Sequence, residues 1–81
     1  MTDATTWIHE FALAAGGTEL TDEERESILA LAGVAAHSSE RVSAPLTCWV
    51  AAAAGLSPRA ALEIAQKVAN ERGVDQPEAD Q

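Results

Sequence analysis

Four stretches of this chain carry apolar residues three or four positions apart, and each stretch is fenced by residues that start or stop helices. That punctuated rhythm limits the fold to helices and sets where each begins and ends. Trp7, Phe11, Ala14 and Ala15 share one face of a first helix over 5–15, with Ile8 and Ala12 beside them and Gly16-Gly17 as the stop. Thr21-Asp22-Glu23-Glu24 is a capping box: the Thr21 hydroxyl accepts from the Glu24 amide while the Glu24 carboxylate reaches back to the Thr21 amide. It opens a second helix over 21–38, with Ile28, Leu31, Ala32 and Ala35 as the expected buried stripe, widened by Leu29 and Ala36.

Pro45 suits the first turn of a third helix, because its missing N–H has no partner to lose there. Leu46, Trp49, Val50 and Ala53 then give a complete apolar face over 45–54, ended by Gly55. Ser57-Pro58 pairs an N-cap with a first-turn proline and opens a fourth helix over 58–72. Its inward face is expected at Ala61, Ile64, Ala65, Val68 and Ala69, with Gly73 closing it. No segment alternates with the period of a strand. The prediction is an all-α, compact four-helix bundle forming a single domain over residues 1–74, followed by a disordered acidic tail at 75–81. With no Tyr, one Phe and two Trp, alanine dominates the apolar set, which favours closely spaced helices.

Charge narrows the partners. Thirteen acidic residues against five basic ones leave a formal charge of −8, too few cations to displace counterions from a nucleic acid backbone. A helix-turn-helix reader built on Arg59, Lys67 and Arg72 meets the same objection, since Glu63 and Glu71 balance it. No apolar run is long enough to cross a bilayer and no leader pattern opens the chain, so a cytoplasmic protein without membrane contact is expected. Cys48, the single cysteine, excludes an internal disulfide and a cysteine metal cluster. It reads as an inert packing residue in a reducing compartment.

One stretch breaks the pattern. "HSSERVSAPLTCW", residues 37–49, gathers polar groups at the junction of the second and third helices. The plainer reading is structural: His37 and Arg41 meet the last carbonyls of the second helix, Ser43 caps the third and Pro45 sets the bend. The functional reading makes His37, Glu40, Arg41 and Thr47 a ligand site. There the free amides of the third helix, the Thr47 hydroxyl and the Arg41 guanidinium hold a phosphate or carboxylate.

No catalytic constellation accompanies it. His9 and His37 lie in separate helices without motif-spaced partners, and no serine has the Asp-Ser-Leu context by which an acyl carrier protein bears its prosthetic arm. No enzyme activity, cofactor or metal is expected.

The junction also carries a family resemblance. Ala36-His37, Glu40-Arg41 and Ala44-Pro45-Leu46-Thr47, followed by an aromatic and small residues, resemble a family of short helical domains in actinobacteria. Those domains occur alone or fused to proteins similar to molybdenum cofactor guanylyltransferase. The likeness spans about Trp7 to Val68, and Cys48-Trp49 stands where a Thr or other small residue and an aromatic are the pattern. The resemblance implies an accessory role in molybdopterin-guanine dinucleotide biosynthesis, with a guanylyltransferase-like protein as partner. It carries over no catalytic residue.

A general interaction or homodimerisation module is the other reading. Trp7 and Trp49 decide between core and interface. Both are expected in the core; an exposed one becomes the anchor of a partner or homodimer contact.

Overall fold

The computed structural model describes residues 3–73; the tail expected at 75–81 lies outside them. Four helices follow in order, α1 (Ala4–Ala15), α2 (Asp22–Ser38), α3 (Ser43–Ala53) and α4 (Pro58–Glu71), and no strand occurs among the described residues. The all-α, four-helix class expected from the sequence is the one adopted.

Local signals place the ends. Asp3, a cap not foreseen, accepts from the Thr6 amide at 2.8 Å and starts α1 one turn before the aromatic face. That bond holds the Asp3 carboxyl below its ordinary value of 3.8. The capping box of α2 is complete: the Glu24 amide donates to Thr21 Oγ1 at 3.0 Å and the Thr21 amide to Glu24 Oε1 at 2.9 Å. Ser57 caps α4 by accepting from the Ala60 amide. Gly16 and Gly55 turn the chain at φ +75 and +79, a region that an L side chain enters only with strain.

One cap departs from expectation. Ser43 is the first residue of α3 rather than its N-cap, and the preceding Val42 offers no side-chain cap. A turn takes over that duty, with the Ser43 amide donating to the Glu40 carbonyl and the Ala44 amide to the Arg41 carbonyl. The helix thereby starts two residues before Pro45, which still lies in its first turn.

Packing centres on α2, which is flanked by α3 and α4, while α3 and α4 meet over only a short stretch. The start of α2 lies beside the start of α4, and the end of α2 beside Arg72, so these two helices run in the same direction and α3 runs back the opposite way. The fully covered apolar set is small: Leu31, Val34 and Ala35 from α2, Ala61 and Ala69 from α4, and Ala12 from α1. Ile28 and Ala32, expected beside Leu31, are half-buried, and Leu29 points outward.

Two expected faces are turned the other way. No Cα of α1 lies within 8 Å of a Cα in another helix, and Trp7 and Phe11 remain 58% and 59% exposed. Two exposed side-chain contacts hold α1 beside the start of α2: His9 Nδ1 donates to Glu19 Oε2 at 2.7 Å and Arg25 Nη1 to Thr5 Oγ1 at 2.9 Å. In α3, the stripe Leu46, Trp49 and Val50 faces solvent, and Ser43, Ala44, Thr47, Cys48 and Ala51 form the covered side. Small side chains on that side let α3 approach α2 closely, which the bulky stripe would prevent.

Candidate functional site

The junction does not assemble as one site. His37, the basic residue in the last turn of α2, is exposed, as are Glu40 and Arg41 in the turn that follows. The amides of Ser43 and Ala44, which an anion would need, are engaged by carbonyls of that turn, and Pro45 has none. Thr47 lies one turn into α3, half-buried, and faces a different space.

That space is a groove of about 390 Å³ between α2, α3 and α4. Its volume falls in the usual range for a binding cleft. Leu31, Val34, Val50, Ile64 and Val68 give it apolar walls, and among the described residues no acidic one lines it. Hydroxyls gather at the end nearest the junction, where Ser43 Oγ donates to Ser39 Oγ at 3.1 Å beside Thr47 and Arg72. Ser38 Oγ, on the same wall, is buried without a hydrogen-bond partner. Ile64 and Val68, expected inside, are each 48% exposed because they face this groove.

Trp49 stands beside it at 77% exposure, the greatest among the exposed large apolar residues. With Leu46 and Val50 it forms an apolar ridge on a helix that carries no charged residue. A second apolar face, Trp7 with Phe11 one turn on, stands on α1. Both tryptophans therefore leave the core role expected of them. Cys48 is half-buried in the covered side of α3, and burial pushes its thiol above the ordinary value, opposite to what a reactive thiolate requires.

Among the described residues no three His, Cys, Asp or Glu side chains are grouped to hold a metal ion, and no helix is long and apolar enough to cross a membrane. The described residues define the class by fold: a small all-α domain of four helices with an apolar groove and two outward apolar faces. The chain belongs to the family described as a domain of unknown function, DUF6457, whose model matches residues 1–80. No curated protein and no solved structure matches it.

The grooved face was missed by sequence reasoning for a specific reason. Its walls come from residues that score as core by periodicity, and only the unusually small side chains at Ala44, Thr47, Cys48 and Ala51 mark the other side of α3 as the one that packs.

Proposed function

We propose that this domain is a non-catalytic docking module, an accessory in molybdopterin-guanine dinucleotide biosynthesis whose partner is a guanylyltransferase-like protein. The single observation that supports docking is the α1 face. Trp7 and Phe11 project from a helix that polar contacts tie to the edge of the bundle. Aromatic residues one turn apart on an amphipathic helix suit insertion into an apolar groove of a partner. Large aromatics also carry disproportionate binding energy when a partner covers them.

The molybdenum cofactor setting rests on the resemblance at Ala36-His37, Glu40-Arg41 and Ala44–Thr47. Titration calorimetry of the purified domain against a purified molybdenum cofactor guanylyltransferase from the same cell tests the reading. Saturable binding is expected, weakened at least about thirty-fold by Trp7→Ala, the loss of a typical anchor residue. Absence of heat and of co-elution at tens of micromolar would contradict the assigned partner. Binding indifferent to Trp7→Ala would contradict the assigned face.

A further inference from the structure

We propose that the groove between α2, α3 and α4 is occupied by a second copy of this chain, in a two-fold contact where Trp49 of each copy enters the groove of the other. The inference stands apart from the partner reading, which uses α1.

The packing leaves one corner of a helical square empty. α2 touches both α3 and α4, those two barely meet, and the corner opposite α2 is the groove. A helix laid there would complete the bundle, and it must be apolar toward Val50, Ile64 and Val68. Its own α1 is held elsewhere by His9–Glu19 and Arg25–Thr5. α3 presents both halves of a self-complementary contact, a wall of the groove at Val50 and an outward indole at Trp49. A patch that carries knob and wall together satisfies the requirement of a two-fold interface, in which the same surface serves both partners.

Charge leaves this face open to a second copy. Each chain carries −8, so two copies repel wherever acidic residues meet. α3 carries no charge, and among the described residues Arg72 is the one charged residue that lines the groove, so the described part of this face sets no acidic residue against another. A basic partner would instead be drawn to Glu19, Asp22, Glu23, Glu24 and Glu26, at the other end of α2.

Area agrees. Val42, Leu46, Trp49, Val50, Ile64 and Val68 are 48–77% exposed and together offer roughly 330–500 Å² of apolar surface, taking roughly 60–120 Å² for a whole aliphatic side chain and about 200 Å² for an indole. That is roughly a third to four-fifths of the ~600–1,000 Å² each partner gives to a specific interface, and exposed Ala52 and Ala53 add to it.

Sedimentation equilibrium with circular dichroism tests the proposal. Wild type and Trp7→Ala are expected at twice the chain mass, whereas Trp49→Glu and Ile64→Arg are each expected as folded single chains, with self-association at least about thirty-fold weaker. Mixing the two charged variants should restore the dimer. One half of the mixed contact pairs Glu with Arg, and the other keeps Trp49 against Ile64. A single-chain wild type at hundreds of micromolar overturns the proposal, as does a dimer indifferent to Trp49→Glu. A mixture that stays monomeric overturns the reciprocal geometry. Loss of the dimer with Trp7→Ala, both charged variants still dimeric, would move the contact to α1 and overturn it too.

Discussion

Replacing Leu31 by Ala should bring this chain close to unfolding. Leu31 is 2% exposed and, with Val34, supplies the only buried side chains larger than Ala in the described core. Truncating a buried Leu costs roughly 2–5 kcal/mol, the transfer of the lost methyls plus the cavity they leave. Leu31 borders the groove, so the space it vacates opens to solvent and can partly close, which sets its cost near the lower half, about 3 kcal/mol. An 81-residue chain with so thin a core belongs at the low end of normal stability, about 4 kcal/mol at roughly 0.05 kcal/mol per residue. Only about 1 kcal/mol then remains, leaving roughly one molecule in six unfolded at 25 °C.

Leu29 is the internal control. It lies two residues earlier on the same helix, is 62% exposed, and its truncation should cost within about 0.5 kcal/mol. Urea titrations followed by circular dichroism, at one fixed chain concentration so that association does not shift the midpoints, compare the two. Equal losses, or a larger loss for Leu29→Ala, would refute the facing of α2 and with it the placement of the core.

Three further outcomes follow from local geometry. Thr21→Ala removes half of the capping box and should cost about 1 kcal/mol, lowering Tm by roughly 4–8 °C; an unchanged Tm in a melting experiment contradicts it. The Asp3 carboxyl has a folded pKa depressed by the Thr6 amide, so its cap contribution is present above the ordinary value of 3.8 and fades as pH falls through the lower folded value. The Thr6 amide resonance should therefore move with a midpoint below 3.8 and stay still in Asp3→Asn; a midpoint at or above the ordinary value refutes the cap. Cys48, half-buried with its thiol pushed up, should react with a thiol reagent at neutral pH more slowly than in the urea-unfolded chain; equal rates would mean that the covered side of α3 is open.

The ends of the helices were legible because their signals are local. Thr21 through Glu24, Ser57-Pro58 and the glycines at 16, 55 and 73 each act within one turn of the chain, whatever the rest of the molecule does. Which face turns inward was not. Leu46, Trp49 and Val50 make the stronger apolar stripe of α3, yet periodicity identifies a stripe without saying what covers it. Alanine at 35, 61 and 69 lets helices pack closely through small faces, which frees the large residues to project. The junction shows the opposite limit. Arg41 and Thr47 are six residues apart, but the turn at 40–43 and the register of α3 leave Arg41 exposed and put Thr47 in the groove, which spacing alone does not reveal.

The orientation of α3 carries both the groove and the apolar ridge, and one indole reports on it. In a Trp7→Phe chain, Trp49 is the sole tryptophan, and acrylamide quenching can be read at a dilution where sedimentation gives the mass of a single chain. Quenching there should approach that of the same chain unfolded in urea, as 77% exposure requires. An indole shielded in the isolated chain would mean that the bulky side of α3 faces α2, and the outward ridge would not exist.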